Sequence, residues 1–374
     1  METTTAGKEL KHSPDQPMWG RVVIRFLRWY LPIALVIVIG AALIGFFSAD
    51  KRMGEIAAPE NIRVHLAGES LDGEVARPIR HLNSLAHHER SIQRVVDSQP
   101  AAMATPMVDA FISLISRNPE YIQMRWIGDD GMERVRVDRT ADGGTRVLPP
   151  GELQDKHDRY YVTGTLRLKF GEIFVSPLDL NVEHHRIEIP YRPVVRLGTR
   201  VYRSDGTANG MLILNVSAQN MLERFAQHSQ GSDMVLLNAD GFWLKSRSAS
   251  DEWGFMLHKR ETFGQRYPSA WKFIATTNSG QRKTPKGLWT WQTVHVTPEH
   301  AVGVDPIYWK VVSRVSTQQL DKLQMDAWLP SILGICLLLP LFGVGIWQLS
   351  RETEGRISAE VGLRQERTSL VKAN

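Results

Sequence analysis

The sequence has a single cysteine, Cys336, in 374 residues. One cysteine excludes a disulfide within the chain and any cysteine-rich zinc site. The charges are nearly balanced, with 45 Lys and Arg against 40 Asp and Glu, and the sequence has no dense basic run. Both observations argue against nucleic-acid binding. The motifs HExxH, GxSxG, GxGxxG and the Walker loop are also missing. We therefore predict no enzymatic activity, no metal site and no cofactor.

Charged residues are absent from two long segments near the ends of the chain, residues 29–49 and 327–350. A helix of about 20 apolar residues crosses the roughly 30 Å of hydrocarbon in a bilayer. Trp29, Trp328 and Trp347 lie near the ends of these segments, where interfacial aromatics are favoured. We predict two transmembrane helices, and the first is too long in its apolar part for a cleaved signal peptide. Neither carries an ionisable residue that could serve a proton or ion path.

Basic residues indicate how these two helices are oriented. Arg21, Arg25 and Arg28 come just before the first segment, and Arg351 comes directly after the second. The excess of positive charge on cytoplasmic flanks therefore predicts both termini in the cytoplasm. Residues 50–326 would then lie outside the membrane, in a periplasm or at a cell surface.

The first part of the outer region has helical periodicity. Val75, Ile79 and Leu82 follow a spacing close to 3.6 residues, which predicts a long helical stalk leaving the membrane. Two ordinary packed helices are the alternative. Pro59 and Pro78 predict a kink or a restart of the helix.

Alternating apolar residues and Gly/Asp turns then predict two units rich in antiparallel strands. A helix at residues 106–116 precedes the first unit, and a helix at 218–227 ends it. The second unit is shorter and ends in a helix that leads into the second apolar segment. This layout is α+β and PAS-like, and it occurs twice. The predicted strands cover residues 121–127, 132–138, 173–176, 186–190, 194–202, 210–216, 287–296 and 308–315.

Several segments resemble double Cache sensor domains. The distal module of that family is matched by RWIGDDGMERVRVDR, by DRYYVTGTLRLKFGEIFVSPLDL and by PYRPVVRLGTRVYRSDGTANGMLILNVSAQNML. The membrane-proximal module is matched by the stretch from LLNADGFWLKS to IYWKVVSRVS. The resemblance covers residues 50–326 and is to the sensor regions of bacterial histidine kinases and diguanylate cyclases. It implies two tandem PAS-like Cache modules on a long N-terminal stalk helix, flanked by two transmembrane helices.

The resemblance also implies a location, a partner and a set of domains. We expect a homodimer in the bacterial inner membrane, with the sensor in the periplasm. The predicted boundaries are a cytoplasmic tail at 1–28, a transmembrane helix at 29–49, the sensor at 50–326 (stalk and distal module 50–228, membrane-proximal module 229–320), a second transmembrane helix at 327–350 and a cytoplasmic signalling helix at 351–374.

The resemblance also points to ligand residues. Many amino-acid-binding members carry Arg-x-Trp-Tyr at the start of the pocket, and residues 159–162 (RYYV) match it with Tyr161 in place of Trp and Val162 in place of Tyr. The aspartate that those members carry on a later strand corresponds to Asn215. Because asparagine has no charge to offer a ligand ammonium, the match disfavours an α-amino acid and favours a carboxylate or another neutral or anionic ligand.

Eight residues combine aromatic walls with polar anchors, as small-molecule pockets do. Arg159 and Arg196 would supply charged donors to a carboxylate. Tyr161 and Tyr191 as core packing, and Arg196 as a strand-surface charge, remain the alternative. The predicted ligand-binding residues are Arg159, Tyr160, Tyr161, Ser176, Asp179, Tyr191, Arg196 and Asn215.

From this we expect a transmembrane sensor that binds a small extracellular molecule in its distal module and signals to a cytoplasmic output, such as a histidine kinase or a diguanylate cyclase. Residues 351–374 cannot hold such an output domain, so we expect it on a longer natural chain or on a separate partner. The alternative is a membrane-anchored adaptor whose outer domain binds another protein.

Overall fold

The computed structural model describes residues 18–98, 105–183, 186–229, 233–296 and 307–373. The chain divides into two compact units, one formed by Met1–Glu55 with Asp321–Asn374 and the other by Ile56–Leu320.

The helices are α1 (Met18–His88), α2 (Arg90–Asp97), α3 (Thr105–Arg117), α4 (Tyr160–Leu166), α5 (Gln219–His228), α6 (Phe263–Arg266), α7 (Pro268–Ile274) and α8 (Thr317–Ala373). The strands are β1 (Tyr121–Ile127), β2 (Glu133–Arg139), β3 (Thr145–Val147), β4 (Phe174–Val175), β5 (Asp179–Leu180), β6 (Val182–Glu183), β7 (Arg186–Ile187), β8 (Pro193–Tyr202), β9 (Ala208–Ser217), β10 (Asp233–Leu237), β11 (Trp243–Lys245), β12 (Ser279–Thr284), β13 (Gly287–His295) and β14 (Tyr308–Ser316).

The first unit contains the apolar parts of α1 and α8, and both are long and apolar enough to cross a membrane. The two helices contact each other through aromatic and polar side chains. Trp19 stacks on Trp347 with ring centroids 6.4 Å apart, and the hydroxyl of Tyr30 donates to the carbonyl of Leu339 at 3.3 Å. Most of the other apolar side chains in these segments are exposed, which fits helices surrounded by lipid.

Helix α1 continues without interruption past the membrane segment to His88. The predicted kink or restart at Pro59 and Pro78 does not end the helix. Proline is tolerated where packing on neighbouring elements stabilises the adjacent turns. Buried Val64 and Leu71 on this part of α1 belong to the core of the second unit. The long predicted helix is therefore present, and the alternative of two separate helices before residue 88 is wrong.

The second unit contains two antiparallel sheets. The distal sheet has seven strands in the order β3-β2-β1-β9-β8-β4, with β5 also paired to β8. The membrane-proximal sheet has five strands in the order β11-β10-β14-β13-β12. In each sheet, two strands that are far apart in the sequence pair at the centre. These are β1 with β9 in the distal sheet and β10 with β14 in the proximal sheet. The predicted α+β fold with two tandem PAS-like modules is confirmed.

Each sheet has two differently covered faces. Met124 and Leu214 of the distal sheet and Leu236 of the proximal sheet share one hydrophobic core with α1. On the opposite distal face, Ile213 packs in a separate cluster with Tyr161 of α4. The opposite proximal face packs against α6 and α7 in a third cluster. The two faces opposite α1 are where a ligand could enter each module.

Most predicted strands are present with small differences in length. The segment predicted at 173–176 forms only Phe174–Val175, and the one predicted at 186–190 forms only Arg186–Ile187. Strand β12 has the polar sequence SGQRKT, and its pairing with β13 was not predicted because an exposed edge strand has no apolar alternation. His184 and His185, adjacent to β7, lie outside the described residues.

Candidate functional site

The predicted site lies on the face of the distal sheet opposite α1. Tyr160 and Tyr161 form the first turn of α4, a helix that was not predicted. Arg159 is the N-cap residue of that helix. The helix is only seven residues long and packs on β8 and β9. A Cβ atom on Gly198 would clash with the side chain of Thr165. Glycine at position 198 is thus what lets α4 approach the sheet closely.

Arg196 is the centre of a buried polar cluster. Its side chain projects from β8, and only 5% of the residue is exposed. The Nη1 atom donates to Oδ1 of Asp179 at 2.6 Å and to the hydroxyl of Tyr160 at 3.2 Å. The Nη2 atom donates to Oδ1 of Asn181 at 3.2 Å, and the backbone N–H of Arg196 donates to Oγ of Ser176 at 2.8 Å. The interpretation of Arg196 as a solvated strand-surface charge is therefore wrong.

Tyr161 lies between two guanidinium groups. The Cζ atoms of Arg125 and Arg196 lie 5.5 and 5.6 Å from the centre of its ring, within the range of a cation–π interaction. Its hydroxyl accepts a hydrogen bond from Nη1 of Arg125 at 2.8 Å. The ring is buried, so both interactions are shielded from water. Tyr161 thus orients two cations on the same face of the sheet.

Asn215 connects this cluster to the neighbouring strands. It pairs in register with Arg196 on β8 and with Gln123 on β1. Its amide Nδ2 donates to Oε1 of Gln123 at 3.1 Å, and Nε2 of Gln123 donates to Asp138 at 2.8 Å. Arg136 completes this row through an ion pair with Asp138 at 2.8 Å. The row crosses the sheet from β8 to β2.

Three buried polar atoms in the cluster have no hydrogen-bond partner among the described residues. They are Oδ1 of Asn215, Nε of Arg125 and Oε1 of Glu133, and the last two lie 3.7 Å apart. A buried acceptor or donor without a partner costs about 1–3 kcal/mol. Such a free acceptor and free donor are the kind of groups that a polar ligand would satisfy.

The charges of the cluster are nearly balanced, because Arg125, Arg136 and Arg196 face Glu133, Asp138 and Asp179. Glu133 lies 3.7 Å from Nε of Arg125 and 3.8 Å from Nη1 of Arg136. Burial raises the pKa of the Asp179 carboxyl, while the ion pair with Arg196 and the Tyr160 hydroxyl act in the opposite direction. Burial lowers the pKa of the Arg196 guanidinium, but Asp179 together with Tyr160 and Tyr161 acts in the opposite direction, and the net effect is a raised pKa.

Six of the eight predicted residues meet in this cluster: Tyr160, Tyr161, Ser176, Asp179, Arg196 and Asn215. The other two, Arg159 and Tyr191, form no hydrogen bond or ion pair with the cluster within the described residues. Tyr191 is 47% exposed and Arg159 is partly exposed. Their role in ligand binding stays a prediction.

Six members of the cluster were not predicted from the sequence: Gln123, Arg125, Glu133, Arg136, Asp138 and Asn181. A signal was present in β1, whose sequence YIQMRWI places two polar residues at alternating positions in a strand that is otherwise apolar. Both are buried. Alternation of this kind predicts a polar patch on one face of a strand, but it does not show that the patch is buried.

Comparisons with known proteins agree with this architecture. The extracellular domain of the histidine kinase vpHK1S-Z8 superimposes with a TM-score of 0.61 at 18% sequence identity, covering 73% of this chain and 95% of that one. A domain of a sensory box/GGDEF family protein from Vibrio parahaemolyticus also has a TM-score of 0.61, at 17% identity, covering 73% of this chain and 99% of that one. No curated protein sequence matches the chain.

Both of these solved structures have the same fold of two antiparallel sheets as this chain. The profile of the bacterial histidine kinase sensor domain family matches residues 74–304. This match includes the whole distal sheet, strands β10 to β13 of the proximal sheet and the polar cluster around Arg196. Two long apolar helices flank the matched region, as in a membrane receptor. The chain belongs to the family of bacterial histidine kinase sensor domains.

Proposed function

We propose that this chain is the sensory and membrane-spanning part of a bacterial receptor, and that its distal module binds a small molecule at the polar cluster around Arg196. The observation that carries the proposal is the set of buried polar atoms without a hydrogen bond on the sheet face opposite α1: Oδ1 of Asn215, and Nε of Arg125 with Oε1 of Glu133 3.7 Å from it. A cluster that served only to stabilise the fold would be expected to satisfy these groups internally.

The chemistry of the cluster favours a carboxylate or another polar neutral or anionic ligand. The Nε–H of Arg125 makes no hydrogen bond within the described residues and has only Glu133 near it, at 3.7 Å, and the guanidinium of Arg159 on the adjoining helix has no partner among the described residues. The Asn215 amide can accept a hydrogen bond but cannot neutralise an ammonium group. Arg196 is already engaged by Asp179, so its contribution would require the ligand to share or replace that pairing.

The proposed location and signalling route follow from the chain order. The sensor lies in the periplasm of a bacterium, the two helices cross the inner membrane, and the protein acts as a homodimer. Strand β14 ends at Ser316 and α8 begins at the next residue. A change in the proximal sheet would therefore reach the second membrane helix directly. The far end of α8 would pass the signal to a kinase, a cyclase or a separate partner.

The test is a ligand screen by thermal shift on the full chain in detergent. We expect at least one small carboxylate to raise the Tm, and we expect Arg159→Ala to abolish that rise while the Tm without ligand stays unchanged. Arg260→Ala, which removes an exposed arginine from the proximal module, serves as a matched control. A full shift in Arg159→Ala would contradict the role of Arg159. No shift with any ligand, together with a stable protein partner in detergent extracts, would favour the adaptor function.

A further inference from the structure

The proximal module contains a cavity of about 300 Å³ on the face of its sheet opposite α1. Strands β10, β11, β13 and β14 form its floor, and α6 and residues 246–251 form its walls. Small-molecule sites have volumes of about 300–1,000 Å³, so the cavity is large enough for a ligand with a single ring system. The position corresponds to that of the polar cluster in the distal module, because both sheets have the same order around their central pair of strands.

Aromatic side chains line much of this cavity. Trp289 lies edge-on to Phe263 with ring centroids 5.5 Å apart, and Tyr267 lies 4.9 Å from Trp289. Trp243 adds a further wall, 6.1 Å from Phe263. These rings hold each other in place and present flat faces and edges to the cavity. Such walls favour a planar aromatic ligand over an aliphatic one of equal size.

Two arginines are held in fixed positions against these aromatic walls. Arg266 donates to Asp251 through two nitrogens, at 2.7 and 2.9 Å, and its Cζ lies 4.4 Å from the centre of the Trp243 ring. Arg314 pairs with Asp233, donates to the hydroxyl of Tyr267 at 3.0 Å and stacks over Trp289. Both side chains are therefore preorganised for a ligand.

Two of the three arginines that line the cavity are paired with carboxylates. Arg266 pairs with Asp251 and Glu261, and Arg314 pairs with Asp233. The Nε of Arg314 is buried and has no hydrogen-bond partner among the described residues. Arg247 is exposed beside the cavity, and its side chain forms no hydrogen bond or ion pair within the part of the chain that the structure describes. A free donor and an unneutralised cation favour an anionic group on the ligand, and a carboxylate matches a guanidinium best.

We propose that the membrane-proximal module binds an aromatic carboxylate in this cavity, with the ring between the tryptophan walls and the carboxylate at Arg314 and Arg247. This site is separate from the distal site and does not depend on it. Arg314 lies on β14 three residues before the first residue of α8. A ligand here would contact the strand that continues into the second membrane helix. If the chain is the receptor proposed above, this ligand would change how strongly the receptor responds to its distal ligand.

The experiment is isothermal titration calorimetry on the full chain in detergent, with sodium benzoate and indole-3-carboxylate as probes. Two matched compounds separate the interactions: benzamide keeps the ring without the charge, and cyclohexanecarboxylate keeps the charge without the aromatic ring. We expect at least one aromatic carboxylate to bind and both comparison compounds to bind at least about fivefold more weakly. The absence of binding by both probes up to ~10 mM would overturn the proposal.

Variants assign the binding to this cavity. Arg247→Ala removes an exposed side chain and is expected to weaken binding at least about threefold without a change in Tm. Arg314→Lys keeps the charge beside Asp233 but removes the free Nε–H and the planar face, and it should weaken binding about tenfold or more. Arg260→Ala and the distal Arg159→Ala should bind the probe as the wild type does. Loss of binding in Arg159→Ala alone, with normal binding in Arg247→Ala and Arg314→Lys, would place the probe in the distal module and overturn the proposal.

Discussion

Arg196 and Asp179 form a buried ion pair across the distal site, with Nη1 of the arginine 2.6 Å from Oδ1 of the aspartate. Asp179 lies on β5, which pairs only with the first residues of β8, so the ion pair joins this short edge strand to β8. The pair also holds the hydroxyl of Tyr160, which donates to Asp179 at 2.8 Å. The side chain most able to bind an anion is thus occupied by a carboxylate of the protein itself.

Removing one partner of this pair should be costly. Asp179→Ala leaves the guanidinium of Arg196 buried without its carboxylate, and a broken buried pair costs about 3–5 kcal/mol. We expect a clear fall in the Tm of the full chain, measured by a thermal melt. Glu152→Ala removes one partner of the exposed pair with Arg146 and should change the Tm very little, because exposed pairs contribute about 0–1 kcal/mol. Equal effects of the two substitutions would contradict the importance of the buried pair.

A single substitution should change the class of ligand. Asn215→Asp introduces a carboxylate next to Gln123 and opposite Arg196 in the sheet. The carboxylate can pair with a ligand ammonium and repels an anionic ligand. We expect the variant to lose about tenfold in affinity for the cognate carboxylate and to gain binding of α-amino acids, measured by calorimetry with the common L-amino acids. Asn61→Asp, on the exposed surface of α1, should show neither change.

The contact between α1 and the distal sheet should weaken at acidic pH. Nδ1 of His81 lies 2.8 Å from the hydroxyl of Tyr121. Burial of the imidazole lowers its pKa below the ordinary value of 6.5, and the positive charges of Arg77 and Arg80 lower it further. The unfolded chain therefore binds this proton more readily. The contribution of His81 to stability is complete above the unfolded pKa and is lost as the pH falls through the lower folded value. We expect the Tm to fall more between about pH 7.5 and about pH 5.5 in the wild type than in His81→Gln. The exposed His228→Gln should retain the wild-type pH dependence.

The two membrane helices should depend on a glycine where they meet. A Cβ atom on Gly45 would clash with the ring of Trp328, whereas a Cβ on Gly40 would meet nothing within 4 Å. Overpacking of this kind costs about 1–3 kcal/mol. We expect Gly45→Val to lower the Tm of the detergent-solubilised chain and to shift the tryptophan emission, and Trp328→Ala to restore the Tm in the double variant. Gly40→Val is the control. An equal effect of the two valines would contradict a specific contact at Gly45.

Local patterns account for the parts of the structure that could be predicted. The long apolar segments, the period of α1 and the hairpin of β1 and β2 all depend on residues close together in the sequence. Helix α4 was missed because its seven residues contain two tyrosines, a valine, two threonines and a glycine, all of which are weak helix formers. Packing of Tyr161 and Val162 on the sheet overrides that preference.

By itself, the sequence determined the two membrane segments, the two antiparallel modules and six of the residues in the distal cluster. Only the tertiary structure decided that Arg125, Gln123 and Asp138 join Arg196 and Asn215 on one buried face. The reason is that strand register sets which residues are neighbours, and the register between β1 and β9 links positions about 90 residues apart. The same long-range pairing placed Arg314 and Trp289 beside one cavity, where no motif marks them.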